Sequence, residues 1–565
     1  MRFGTFDEQN REYVITNPRT PVKWINYIGT RQFGGFVDHT GGALICKDDP
    51  TFNRITKYIQ QMPSSDFKGE TLYLRLHLDD GYRVFSPFFV PGLDPLDRFE
   101  CRVGLGYTRI LSEHLGVRTD ATIFVPRGDQ REVRDVWITN GAATPVCIDV
   151  IPLVEYTHPD ALLQFTNADW LPQTMQSRVL DEEGLTILVQ YPFMYRDTRI
   201  NYLTSNLPAS SFETDRKRFL GDNEYGTFRL PLSLLNPELT NSQAERGDNI
   251  AAMLHPLGEV QPGETRRLIL QLGQESSLDS IRLGIRKYRQ AEAVDAALAE
   301  LRAFWREFLA ALQVDTPDLS MNGMLNVRNP HQCYVTKTWS RYLSYYQPGL
   351  GSRGIGYRDS MQDVLAVFAS VPEESKDLIR TLLSFQKRDG SAMHQFNPLT
   401  HQASAGDSLE MGDRPHYYSD DHLWAVLAVT GYLKETGDLA FLSEIVSFHD
   451  RDQRETVLES ASVLEHLKRA LSFTCQDVGR HGLPLLGFAD WNDTVNLPTG
   501  AESVFTANLY GKACCELTAL LEHLNDTAAD EWHTAYEEMR ARVEAVAWDG
   551  AWYVGYFDAK GEPLG

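Results

Sequence analysis

A chain of 565 residues is too long for one ordinary domain and predicts two or three structural units. Its 42% hydrophobic and 23% charged residues are the balance of a soluble globular protein. The net charge of −23 argues against a nucleic-acid partner, because an acidic surface repels a polyanion and releases no counterions. The first 275 residues read as β-structure. TDATIFVP (119–126), EVRDVWITN (132–140), TPVCIDVIPLVEY (144–156) and TRRLILQLGQ (265–274) are short, β-branched and bounded by Gly, Pro or Asn. Val146, Ile148 and Val150 alternate, as do Leu268, Leu270 and Leu272, so each strand has one buried face. No helical pattern regularly separates these segments, which predicts an antiparallel β-sandwich over 1–275.

The period changes near residue 279. Val294, Leu298, Leu301, Phe304 and Phe308 recur at threes and fours, so 279–312 is predicted helical and 276–315 is read as linker helices. From 316 to 565 a helical domain is expected, with candidate helices at 331–346, 359–370, 373–387, 421–435, 455–476, 503–523 and 528–547. Long loops rich in Gly, Pro, Asp and Tyr fall at 347–358, 389–420 and 480–500, and loops of that length in a helical domain usually carry function.

Seven cysteines, odd in number and without C-x-x-C, fit neither a disulfide framework nor a zinc site and suit a reducing cytoplasm. The N-terminal MRFGTFDEQNREYVI has no apolar stretch of the signal-peptide kind. The longest apolar run, LWAVLAVTGYL at 423–433, is shorter than the roughly 18 residues that span a bilayer, so no membrane partner is expected. Gly349-Leu-Gly351-Ser-Arg-Gly354 fits a dinucleotide fingerprint but follows an aromatic helix and a Pro rather than a strand, so no nucleotide cofactor is expected. His416, Asp420, Asp421 and His422 resemble a metal cluster without its spacing. Ser419 or Asp420 reads as well as the N-cap of the next helix, and no metal is expected.

Two segments are dense in polar groups. One is 352–363, at a loop-to-helix junction, and the other is Ala489-Asp-Trp-Asn-Asp-Thr-Val-Asn496. Sugar recognition needs bidentate partners for hydroxyls and a ring beside the sugar face, and Arg353, Asp359 and Trp491 are of those kinds. Inverting glycosyl transfer needs a protonated carboxylic acid beside the glycosidic oxygen, for which Asp490 and Asp493 are candidates. Asp-Trp-Asn-Asp reads equally well as a turn, since Asn and Asp bond their own backbone.

FDEQNREYVITNPRTPVKWINYIG (6–29), GSRGIGYRDSMQD (351–363) and GFADWNDTVNL (487–497) resemble the corresponding segments of the cellobiose phosphorylase family, glycoside hydrolase family 94. That family includes cellobionic acid, laminaribiose, chitobiose and cellodextrin phosphorylases. The resemblance implies an N-terminal β-sandwich, linker helices and an (α/α)6 barrel. It implies Asp493 as the general acid, Trp491 against the sugar of the donor subsite, and Arg353 and Asp359 on that sugar's hydroxyls. The implied reaction is reversible phosphorolysis of a β-glucosidic disaccharide by inorganic phosphate, giving α-glucose 1-phosphate and the released sugar, without cofactor. A homodimer is implied as well.

The family's phosphate-binding residues, a His, a Gln and a Thr-Gly pair, follow its D-W-N-D loop, and no segment of this chain matches them. The phosphate site is therefore expected past residue 565, the barrel is expected to be incomplete at the C-terminus, and the chain alone is expected to be inactive. Two other readings stand beside this one. An inverting hydrolase on the same architecture needs a base among Glu410, Asp413, Asp420 and Asp421, and a sugar-binding fragment needs no chemistry at all.

Overall fold

The computed structural model describes residues 3–157, 170–193, 198–340, 342–343, 354–451, 456–495 and 497–565. The chain divides into one unit of Met1–Glu307 with Tyr342–Gly349 and another of Phe308–Arg341 with Leu350–Gly565.

In the first unit the alternating segments are strands of two antiparallel sheets. Val146–Glu155 pairs with Asn249–Val260 on one side and Glu70–Leu78 on the other, in a sheet of five strands among the described residues. Val117–Phe124, Arg131–Asn140 and Thr265–Glu275 lie side by side in a second sheet, of ten strands among the described residues. Ile148, Val150, Leu72, Leu74 and Leu76 of the first sheet meet Val136, Ile138, Leu268 and Leu270 of the second in one core. Each such side chain contributes about 1.5–3 kcal/mol by leaving water. The outer face of the smaller sheet is also covered, with Tyr73, Ile151 and Leu153 under Phe219, Leu234 and Leu239. That double burial explains why 144–156 is apolar at nearly every position.

The predicted helical stretch 279–312 is two helices, α1 (Leu278–Ile285) and α2 (Ala291–Ala310). Ile281 and Ile285 of α1 pack on Ile187, Val189 and Tyr202 of the larger sheet.

The second unit contains α3 (Asn329–Trp339), α4 (Tyr357–Leu365), α5 (Pro372–Leu383), α6 (Asp421–Thr436), α7 (Val463–Gln476), α8 (Val504–His523) and α9 (Ala529–Val546). Helix α6 packs between α4 and α8, while α5, α7 and α9 lie against the other sides of this row. Burial almost all round α6, from Asp421 to Leu433, accounts for its apolar sequence without a membrane. Among the described residues no helix is long and apolar enough to cross one.

Several helix boundaries differ from the sequence reading. Helix α7 starts at Val463 rather than 455, because Ser460–Ser462 pairs with Ile445–Ser447 and the Ser462 hydroxyl caps the helix at Glu465 N, 3.3 Å away. Helix α4 starts at Tyr357 and ends at Leu365, and α3 ends at Trp339. Residues 341 and 344–346 of the predicted 331–346 helix lie outside the described residues. The long loops contain short antiparallel pairs, such as Ile355–Gly356 with Gln395–Phe396 and Glu502–Ser503 with Tyr556–Phe557, which strap the starts of α4 and α8.

Candidate active site

Three helix starts and one loop meet around Arg358. It is the second residue of α4 and only 4% exposed, so its charge needs partners inside the protein. Nη1 donates to Asp420 Oδ1 at 3.0 Å and to the Asp490 carbonyl at 2.7 Å, and Nη2 donates to the Asp493 carboxylate. One guanidinium thus joins α4, the start of α6 and the 489–493 loop.

Asp420 occupies the N-cap position of α6, yet its side chain caps nothing there. Its carboxylate turns instead to Arg358 and, through Oδ2, to Trp424 Nε1 at 3.0 Å. Burial pushes the Asp420 carboxyl upward, Arg358 pulls it down, and neighbouring Asp421 adds to the rise, which prevails. Asp421 serves a different partner, His394 Nδ1 at 3.0 Å. The His394 ring stacks on Tyr418, with centroids 3.6 Å apart and planes 10° apart. Burial opposes charge on His394, but the Asp421 carboxylate outweighs it and holds the histidine above its ordinary pKa.

The loop carries two carboxylates with opposite surroundings. Asp490 is buried, and its oxygens accept from Asn492 N at 2.9 Å and Ser503 Oγ at 2.6 Å. Ser503 is also the N-cap of α8, accepting from Thr506 N at 3.0 Å. Burial and the adjacent Asp490 push the Tyr556 hydroxyl up to about 12. The Asp493 side chain is 61% exposed and open to a ligand. The loop enters through Gly487, whose φ of +65° and 2.6 Å approach of the Tyr417 carbonyl to any added Cβ demand glycine. Phe488 N then bonds Tyr417 O at 2.9 Å and Ser419 N bonds Ala489 O at 3.0 Å, tying the loop to the segment before α6.

Of the residues singled out from sequence, Trp491 is 53% exposed and donates from Nε1 to Gln362 Oε1 of α4 at 3.2 Å. Asp359 is half-buried in the first turn of α4, its carboxylate over Gly356, where a Cβ would collide with it. Arg353 lies outside the described residues. The cluster that resembled a metal site points four ways. His416 meets Ser408 O, Asp420 meets Arg358, Asp421 meets His394 and His422 meets Thr474 Oγ1. Among the described residues no group of three His, Cys, Asp or Glu side chains could hold a metal ion.

Arg358, His394 and Ser503 were not singled out from sequence. The signal for Arg358 was its position between the buried Tyr357 and Met361 at a helix start, where a charge needs an internal partner. His394 had no comparable signal, since no helical or strand period in its loop marks it as buried.

The glycosyl hydrolase 94 superfamily catalytic domain model matches residues 304–565, and the glycosyl hydrolase 94 supersandwich domain model matches residues 11–291. An N,N'-diacetylchitobiose phosphorylase of Vibrio furnissii is 31% identical over 589 residues, covering 100% of this chain and 71% of that protein. A solabiose phosphorylase of Paenibacillus borealis is 28% identical over 575 residues, covering 100% of this chain and 69% of its own length. A bacterial glucoamylase complexed with acarbose shares the fold, with a TM-score of 0.53 at 10% identity over 99% of this chain and 72% of that one. The sandwich match falls on the unit of paired sheets and the catalytic match on the unit that holds Arg358, Asp420 and Asp493, and the chain belongs to the glycosyl hydrolase 94 superfamily.

Proposed function

We propose that this protein catalyses reversible, inverting phosphorolysis of a β-linked disaccharide by inorganic phosphate, giving an α-sugar 1-phosphate and the released sugar. The observation that carries the reading is Asp493, an open carboxylate on a loop otherwise anchored by buried bonds. The relatives named phosphorylases, which match the whole chain, give the reading its nucleophile. Asp493 donates its proton to the glycosidic oxygen as the C1–O bond breaks, and a phosphate oxygen attacks C1 from the opposite face. Phosphate is already an anion, so no second carboxylate is needed as a base. In this reading Trp491 offers a ring face to the donor sugar, and Arg353 and Asp359 hold its hydroxyls. The row of α4, α6 and α8 backed by α5, α7 and α9 is read as part of an (α/α)6 barrel, and the protein as a cytoplasmic homodimer.

Cellobiose is the first substrate to test, with N,N'-diacetylchitobiose and solabiose beside it because relatives are named for them. The measurement is sugar 1-phosphate release with and without inorganic phosphate, by this chain and by a longer form that carries the family's phosphate-binding residues. Release that needs phosphate and falls by about 10²–10⁴ in Asp493→Asn is expected. Free sugar appearing without phosphate would instead establish the hydrolase. Its candidate bases Asp420 and Asp421 are fully buried and already engaged, which leaves the exposed Glu410 and Asp413.

A further inference from the structure

Arg358 touches the catalytic loop twice, at the Asp490 carbonyl and at the Asp493 carboxylate, and it touches Asp420 with the same nitrogen that reaches the carbonyl. Asp420 has no solvent exposure and both its oxygens are engaged, one by Arg358 and one by the Trp424 indole. A planar guanidinium held at one edge in this way cannot turn without breaking a buried charged bond. We propose that Asp420 is a positioning residue for the acid: it fixes the plane of Arg358, and by sharing that cation with Asp493 it sets the pH range over which Asp493 gives up its proton. The proposal rests on reading Asp493 as the proton donor.

The charge argument has a definite sign. While Asp420 is ionised, the Arg358 cation is divided between two carboxylates. Without that charge the cation acts on Asp493 alone, favours its ionised form, and removes the acid's proton at lower pH. Among the described residues the following groups lie around the pair. From α6 come Asp421, bonded to His394, and Trp424. From the loop comes Asp490, bonded to Ser503 and Asn492. The Tyr418 ring centroid lies 5.8 Å from the Arg358 guanidinium, and the Tyr556 hydroxyl donates to Asp490 Oδ1 at 3.4 Å. Among the described contacts, Asp420 is the buried carboxylate side chain that bonds Arg358.

The test is the pH dependence of kcat in Asp420→Asn, which keeps the shape and removes the charge. Expected are a fall in kcat of about ten- to a hundredfold, a KM for the sugar within about threefold of wild type, and an alkaline limb moved about one unit to lower pH. Trp424→Phe, which leaves Arg358 untouched, should move the limb in the same direction by less. An unmoved limb in both variants overturns the proposal, whatever happens to kcat. Turnover of the wild type without phosphate would refute phosphorolysis yet leave the limb readable from hydrolysis. With no turnover by either route, hydrogen exchange over 489–495 decides. Faster exchange in Asp420→Asn upholds the positioning role and unchanged protection overturns it.

Discussion

Asp490 and Asp493 stand three residues apart and meet opposite environments, the first bonded and buried, the second largely open. Stability and activity should therefore separate at this site. Asp493→Asn is expected to leave thermal stability within about 0.5 kcal/mol of wild type, as for most surface changes. Arg358→Ala leaves Asp420 buried without its cation and should cost about 3–5 kcal/mol, read as a fall in denaturant midpoint. Equal midpoints for the two variants would refute this division. The same contrast shows what was legible in the residues. A loop rich in acids, amides and an aromatic stands out by composition, which makes Asp490 and Asp493 equal candidates. The family resemblance alone implies Asp493 as the acid and Trp491 against the donor sugar. The chemistry of Arg358 depends on partners 62 and 135 residues away, a distance at which a single sequence carries no pattern.

At the scale of elements, the apolar periodicity carried the long helices well. The 503–523 reading corresponds to Val504–His523 and the 421–435 reading to Asp421–Thr436. Two-residue strands such as Glu502–Ser503 have no period to detect, yet they aim the helix starts at the site. Asp420 also shows how a local rule yields to a distant partner. It stands at an N-cap position and is one of the two residues, with Ser419, that read as the cap, but a buried arginine outcompetes the backbone N–H groups for its oxygens. Ser503 keeps the cap and adds a bond to Asp490, so one hydroxyl couples the start of α8 to the loop. Ser503→Ala should cost about 1 kcal/mol from the lost cap and lower kcat as the loop loosens. A melt and a steady-state assay check this, and an unchanged kcat would refute the coupling.

For the molecule as a whole, buried histidines set the response to acid. In the second unit burial pushes His331 and His466 down to about 4 and His422 down to about 3. Unfolded, each would take a proton near pH 6.5, whereas folded it does not, so the stability present above that pH is lost as pH falls. Each contributes a slope of about 1.4 kcal/mol per pH unit between its two values. Asp420, His394 and Asp477, raised in the fold, work in the opposite sense. The first unit has the lowered His255 and His39 beside the raised Glu70 and Asp48. His422→Asn should therefore lessen the fall in unfolding free energy between pH 7.5 and 5.5. An unchanged fall would contradict this.

The order in which the pieces of the site are synthesised follows from their spacing. Arg358 leaves the ribosome first, Asp420 62 residues later, and the Asp490 carbonyl and Asp493 132 and 135 residues after Arg358. The arginine can thus settle on its buried partner before the loop exists, and the loop is then laid down on a cation already held in place. Its acid becomes fixed only when Ser503 and the start of α8 have followed, so the chemistry is the last thing this region of the nascent chain acquires.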